Sequence, residues 1–163
     1  MTEVQLRDPA HLVSRRARAY WLARALPGWL LAGGVLAAVL IGVGWSGVVT
    51  GAIAGTVALL ALLHLVVMPQ WRYRVHRWEV TDTAVYTQSG WFDQERRIAP
   101  IARVQTVDIE RGPFEQVFGL ANVTVTTASA AGPLKIHGLR RAVAEALVED
   151  LTVRTQAAGG DAT

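Results

Sequence analysis

The side chains that could do chemistry are few in this chain, and they do not form a catalytic or metal-binding set. There is no cysteine, and four histidines lack metal-ligand spacing: His11, His64, His76 and His137. Asp108 and Glu110 lie on one face of a predicted strand, but a solvated strand face explains them better than a catalytic pair. No nucleophile elbow or phosphate-binding loop in a suitable context is present. The sequence therefore predicts a protein that is not an enzyme and that binds no metal or cofactor.

Arginines are the second group of side chains that could bind a partner. The formal net charge is +3, and the whole surplus lies in the first 24 residues, beside an apolar stretch. A surplus at that place indicates membrane topology rather than nucleic-acid binding. Six arginines that flank this stretch are candidate contacts with a membrane surface: Arg15, Arg16, Arg18, Arg72, Arg74 and Arg77. For the last three, topology determination is the favoured role and contact with anionic headgroups is the alternative.

An aromatic pair, Trp91 and Phe92, lies in a predicted turn at residues 90–93. Two adjacent aromatic side chains are costly to expose unless they pack on something. They are candidate contacts with a protein partner. The alternative is that they fold back and fill the interior of the domain.

These residues are positioned by a long apolar stretch, residues 25–71, that contains no Asp, Glu, Lys or Arg. The stretch is too long for one membrane crossing and long enough for two, at residues 27–44 and 48–68. A turn is predicted at Trp45, and Pro69 is predicted to end the second helix. Residues 27–68 are thus predicted to form a transmembrane hairpin. Arginines flank both spans and are absent from the turn, so we expect a multi-pass protein of the plasma membrane with both termini in the cytoplasm.

Residues 1–26 are predicted to form a basic, amphipathic arm whose helix begins with Pro9 at its first position. Within the hairpin, small residues recur every four positions in both spans and are candidates for helix packing: Gly34, Ala38 and Gly42, then Gly47, Gly51 and Gly55. Packing of one span on the other is the favoured role, and dimerisation is the alternative. For His64, near the cytoplasmic end, we expect a structural role.

After Trp71 the sequence changes to short alternating strands. Strands are predicted at 73–80, 84–89, 95–99, 104–110, 122–127 and 134–137, with Val123 and Val125 buried, a helical turn at 114–118, and an amphipathic helix from about Leu139. These elements describe a small barrel or sandwich of about six antiparallel strands, with the helix covering an open end, over residues 70–156. Residues 157–163 are predicted to be a disordered tail.

Three segments carry a resemblance to a known family: RVQTVDIE at residues 103–110, GPF at 112–114 and VFGLANVTV at 117–125. They resemble the signature of bacterial pleckstrin-homology-like, YdbS-type membrane proteins, as does the order of arm, hairpin and domain. The resemblance implies a PH-like barrel of about seven antiparallel strands capped by a C-terminal helix, attached to the inner leaflet, and it implies no particular ligand. Eukaryotic relatives bind inositides through a basic first strand–strand loop, whereas residues 80–83 here contain Asp82 and no basic side chain, so that function is not carried over.

The sequence therefore predicts a membrane-anchored interaction module whose PH-like domain binds another membrane-associated protein. A homo-oligomer is one form of that partner. The alternative function is a sensor of anionic lipid at the inner leaflet.

Overall fold

The computed structural model describes residues 8–45, 47–129 and 132–160. It contains a long helical hairpin, two antiparallel sheets and a C-terminal helix, which confirms the predicted fold class. The helices are α1 (Arg16–Val43), α2 (Gly47–Val75), α3 (Pro113–Val117) and α4 (Arg141–Gly160), with a 3₁₀ turn at Ile101–Arg103. The strands are β1 (His11–Leu12), β2 (Arg77–Val80), β3 (Ala84–Gly90), β4 (Gln94–Pro100), β5 (Val104–Glu110), β6 (Leu120–Thr127) and β7 (Leu134–Arg140).

The hairpin consists of α1 and α2, which are 28 and 29 residues long. Both are long and apolar enough to cross a membrane, and most of their surface is not covered by the rest of the chain. α1 ends at Gly44, whose backbone adopts the left-handed conformation (φ 65°) that commonly terminates a helix. Ser46 of the predicted turn lies outside the described residues.

Both helices extend beyond the predicted spans. Pro69 does not end α2, which continues to Val75, so the strand predicted to begin at residue 73 begins only at Arg77. Pro27 likewise lies inside α1. Proline is tolerated inside apolar helices of membrane proteins because neighbouring groups and local adjustments satisfy the freed backbone carbonyl. Pro69 is itself buried.

The N-terminal arm is part of the folded domain. The prediction of a helix from Pro9 is wrong, because His11 and Leu12 form β1 and pair antiparallel with Trp78 and Arg77. Residues Val13, Ala17, Tyr20 and Trp21 are buried in one apolar cluster with Met68 of α2 and Leu120 of β6. The packed domain therefore includes residues upstream of the boundary predicted at residue 70, and residues 1–7 lie outside the described chain.

The domain is built from two sheets, with strand orders β1-β2-β3-β4 and β5-β6-β7. Val123 and Val125 are fully buried, as predicted, in a core between the sheets and α4. α4 contributes Leu147 and Leu151 to this core. The helix continues to Gly160, so the predicted disordered tail is wrong for residues 157–160. Two of these residues are alanines, which favour helix, and two are glycines, which do not. Residues 161–163 lie outside the described chain.

The connectivity gives the domain two different ends. β2 begins two residues after α2 and runs away from the hairpin, and β3 returns antiparallel to it. The turn between β3 and β4 therefore lies at the hairpin end, whereas the turn at residues 81–83 lies at the opposite end. Arg154 of α4 pairs with Asp82 at that far end, with Nη1 to Oδ1 at 2.6 Å.

The small-residue stripes do not form the contact between α1 and α2. A Cβ atom added to Gly34, Gly42, Gly47, Gly51 or Gly55 would meet no neighbouring atom within 4 Å, and Ala38 is exposed. The two helices instead enclose a cavity of about 200 Å³ whose lining includes Leu36, Leu40, Ala54 and Ala61. Packing of one span on the other is therefore not the role of the stripes, and dimerisation stays a prediction.

Candidate functional site

A cavity of about 440 Å³ lies where the base of the hairpin meets the domain. We call it the junction cavity. It is lined by Tyr20, Trp21, Arg24 and Ala25 of α1, Met68 and Arg72 of α2, Asn122 of β6 and His137 of β7. These lining residues include two arginines and no carboxylate. Arg24 and Arg72 are the last charge before the apolar stretch and the first charge after it, so the cavity lies where the charge-free part of the hairpin ends.

Arg72 is the least compensated charge in the junction cavity. Its guanidinium carbon lies 4.7 Å from the centre of the Trp21 ring, which is a cation–π geometry. Its Nε atom is buried without a hydrogen-bond partner, and its side chain makes no ion pair with any described residue. A partly buried guanidinium without an anion is costly, because burial removes water that protein groups have not replaced.

Arg24 enters the cavity through a chain of hydrogen bonds. It donates from Nη1 to the Tyr20 hydroxyl at 2.8 Å, and Tyr20 donates to Glu115 Oε1 at 2.6 Å. Asn122 also donates to Glu115 Oε1, at 3.3 Å, while its own Oδ1 accepts the backbone N–H of Gly138. Burial favours a raised pKa for the Glu115 carboxyl, but hydrogen bonds from Tyr20, its own backbone and Asn122 outweigh burial and lower the pKa.

Two histidines beside the cavity are held in the neutral form. Burial, and then the positive charge of Arg72, lower the pKa of His76 to about 4. His76 Nδ1 lies 2.8 Å from the backbone oxygen of Arg72, and its ring packs on Trp21 at 4.9 Å between centroids. Burial also lowers the pKa of His137, and Lys135 and Arg72 add to that shift. Both histidines are therefore neutral at neutral pH, so the charged side chains that line the cavity itself are Arg24 and Arg72.

The arrangement can hold an anion. Arginine presents planar N–H donors that match the oxygens of phosphate or carboxylate, and such bonds are stronger than neutral hydrogen bonds. A neutral imidazole and an amide add hydrogen-bonding groups at the wall. Within the described residues there is no group of three or more His, Asp or Glu side chains that could hold a metal ion.

The structure separates the six arginines that the sequence proposes as membrane contacts. Arg72 enters the junction cavity, whereas Arg74 is exposed only two residues later. Arg77 donates to the backbone oxygens of Arg74 and Pro9. Arg18 packs on Tyr73 and donates to Gln70 Oε1 at 3.0 Å, and the exposed pair Arg15 and Arg16 opens α1.

The aromatic pair lies against the hairpin. The Trp91 ring is 5.1 Å from the His64 ring and 4.0 Å from the Phe92 ring, between centroids. The backbone oxygen of Trp91 accepts a hydrogen bond from Trp71 Nε1 at 3.0 Å. His64 Nδ1 in turn accepts a hydrogen bond from Trp29 Nε1 at 2.9 Å. Trp91 is thus half-buried, against the hairpin and against the apolar cluster that contains Met68, while Phe92 is 82% exposed. Contact of this pair with a protein partner stays a prediction.

Sequence reasoning missed four of the residues that shape the site: Tyr20, Arg24, Asn122 and His137. One sequence signal could have identified Arg24. It is the last charged residue before the apolar stretch, and Arg72 is the first charged residue after that stretch. Nothing local marks Asn122 or His137, which reach the cavity only through the pairing of β6 with β7.

Comparisons with known proteins agree with this architecture. A family model described as bacterial PH domain matches residues 20–155 of the chain. The UPF0699 transmembrane protein YdbS of Bacillus subtilis (strain 168) is 33% identical to it over 85 residues, which are 52% of this chain and 54% of that protein. The match therefore spans about half the length of that relative. No solved structure matches the chain.

Proposed function

The chain belongs to the bacterial PH domain family and is a YdbS-type membrane protein. From the junction cavity at the base of its hairpin we propose that it is a non-enzymatic module that binds an anionic lipid at the cytoplasmic leaflet. The ligand group is the lipid phosphate, and the binding site is the junction cavity. This proposal favours the lipid function that the sequence offered as the alternative.

The proposed topology has two crossings of the plasma membrane and both termini in the cytoplasm. Its support is the distribution of arginines, which flank both apolar stretches and are absent from the turn at Trp45. In this orientation the junction cavity opens at the level of the inner-leaflet headgroups. A reporter that is active only outside the membrane, fused to the C-terminus, should stay silent; a strong signal would overturn the topology.

The observation that carries the proposal is Arg72, whose guanidinium lies in a cavity at the end of the charge-free helices and has no ion-pair partner among the described residues. A phosphate group there would supply a negative charge to this guanidinium, and Arg24 lines the same cavity. Each hydrogen bond to a charged group is worth about 1.5–3 kcal/mol, which corresponds to roughly a 10- to 100-fold change in affinity. The junction cavity is a different place from the loop at residues 81–83, which corresponds to the inositide-binding loop of eukaryotic relatives and lies at the opposite end of the domain.

The test compares two arginines that are two residues apart. The full chain, purified in a neutral detergent, is titrated with phosphatidylglycerol or phosphatidylcholine, and bound lipid is counted by native mass spectrometry. Arg72→Gln should weaken phosphatidylglycerol binding at least about tenfold. Arg74→Gln, which removes the same charge from an exposed position, should leave it nearly unchanged.

Three results decide the proposal. Equal loss in both variants would mean general electrostatic attraction, and no loss in Arg72→Gln would mean that the cavity is not the site; either result overturns it. Inorganic phosphate is the third probe. Displacement of the lipid by millimolar phosphate would show that the cavity takes a free anion rather than a lipid.

Protein binding, the function that the sequence favours, is the second candidate. An open groove of about 510 Å³ between β2 and α4 supports it, with Trp78, Val80, Val143 and Leu147 in its wall. Its apolar wall suits an apolar segment of a partner protein. A photo-crosslinking residue at Ala146, which also lines the groove, should capture that partner in native membranes, whereas one at Phe92 tests the contact predicted from sequence. Absence of protein adducts at both positions would contradict this candidate.

A further inference from the structure

We infer that the tip of the β3–β4 hairpin, Trp91 and Phe92, is a third membrane-contacting element that inserts into the cytoplasmic leaflet beside α2. We call these two residues the aromatic tip. The inference goes beyond the proposed function, because it rests on contacts outside the junction cavity and does not require a lipid in that cavity.

The depth of the aromatic tip follows from its contact with His64. His64 precedes Arg72 by two turns of α2, which places it about 12 Å further along the helix axis, within the charge-free stretch. The Trp91 ring is 5.1 Å from the His64 ring, and Trp71 Nε1 bonds the Trp91 backbone. The aromatic tip therefore extends along α2 beyond Arg72, the residue nearest the domain that bounds the charge-free stretch. It reaches the level of Leu63 and Val67, which are half exposed.

The composition of the tip suits the boundary between headgroups and acyl chains. Tryptophan is enriched at that boundary, where its ring is solvated by both environments. Phe92 is 82% exposed, and burying such a side chain in an apolar environment is favourable by about 1.5–3 kcal/mol. Asp93 follows directly and is exposed, so its carboxylate limits the insertion to the headgroup side of the cytoplasmic leaflet.

The backbone of the tip is built for this geometry. Gly90 has a φ of 132°, and a Cβ atom there would lie 1.8 Å from the backbone oxygen of Asp93. Only glycine permits this tight reversal, which holds Trp91 against the helix. At the other end of β3, the turn at residues 81–83 carries two threonines and Asp82 and no aromatic side chain, so only the turn at the hairpin end presents aromatic side chains.

The test uses the absence of cysteine from the chain. Phe92→Cys is labelled with a nitroxide in the otherwise unchanged full chain, reconstituted in phosphatidylcholine–phosphatidylglycerol liposomes. Its collision rates with oxygen and with a water-soluble nickel complex give the depth of the label. Asp82→Cys, at the far end of the sheet, is the matched aqueous control.

We expect the label at residue 92 to lie below the phosphates, with high oxygen access and low nickel access, and the label at residue 82 to be fully accessible to nickel. Asp93→Cys keeps both aromatic side chains and should report a shallower position than residue 92. Nickel access at residues 92 and 93 equal to that at residue 82 would overturn the inference. Low access to both reagents at residue 92 would overturn it as well, because it would place the tip against protein.

Discussion

Acidification should destabilise the domain through His76. The pKa of this buried imidazole is about 4 in the folded protein and 6.5 in an unfolded chain. A folded pKa below the unfolded one means that the unfolded state binds more protons between these values, so stability is complete above pH 6.5 and is lost as pH falls toward 4. At pH 5 the unfolded imidazole is about 97% protonated and the folded one about 9%, which gives a loss of about 2 kcal/mol relative to pH 7.5.

Other titratable groups near His76 either add to this loss of stability or change stability in a different pH range. His137, whose pKa is also lowered by burial, adds to the loss. Glu115, whose pKa is lowered from 4.5, contributes stability that is lost only in more acidic solution. Arg72, whose positive charge helps to lower the pKa of His76, stays protonated throughout this range. Between pH 7.5 and 5 the expected loss is therefore set by histidines.

Thermal unfolding of the full chain in a neutral detergent, followed by tryptophan fluorescence, measures the effect. A loss of about 2 kcal/mol corresponds to a decrease in the melting temperature of about 8–16 °C for a domain of this size. His76→Phe keeps a ring against Trp21 but cannot titrate, so it should remove most of the difference between pH 7.5 and pH 5. It also loses the Nδ1 contact with Arg72, at a cost of about 1 kcal/mol at either pH. If His76→Phe keeps the full pH dependence, the assignment to His76 is refuted.

Two further predictions concern glycines. Gly138 has a φ of 74°, and a Cβ atom there would lie 3.0 Å from Ala17 Cβ, so Gly138→Ala should destabilise the docking of α1 by about 2 kcal/mol or more. Gly132→Ala, with a φ of 77° and open space around it, should cost only the backbone strain of about 1 kcal/mol; equal melting temperatures for the two variants would contradict this account. Gly51→Leu should leave protease resistance of the hairpin unchanged in membranes, because residue 51 faces no neighbour, whereas Leu40→Ala should reduce it. A cross-linked dimer that is lost in Gly51→Leu would assign the glycine stripe to contacts between copies.

Local pattern was sufficient for much of the fold. The strand at Val104–Glu110 was predicted to the residue, and alternation correctly buried Val123 and Val125. Absence of charge predicted two long apolar helices, which the structure contains, and three sequence segments identified the family. These features depend on residues that are near one another in the chain, which is why composition and periodicity reveal them.

What the sequence did not reveal depends on contacts between distant segments. β1 is only two residues long and exists because β2 offers an edge, so no local signal marks it. Arg72, Arg74 and Arg77 are equivalent in sequence, and only the packing of α1 against β6 and β7 places Arg72 in a cavity. Pro69 carries a strong local preference to end a helix, which the apolar surroundings of α2 override.

α2 runs without a break from the apolar stretch to Val75, and one residue, His76, separates it from β2, which has a mechanical consequence. A helix of 29 residues is about 43 Å long, well beyond the roughly 30 Å of hydrocarbon, so its last turns project from the bilayer as a stiff shaft. With no flexible linker between shaft and sheet, the domain cannot swivel independently. A thinner bilayer that tilts the helix must therefore rotate the whole sheet with it, and the far turn at residues 81–83 sweeps the longest arc.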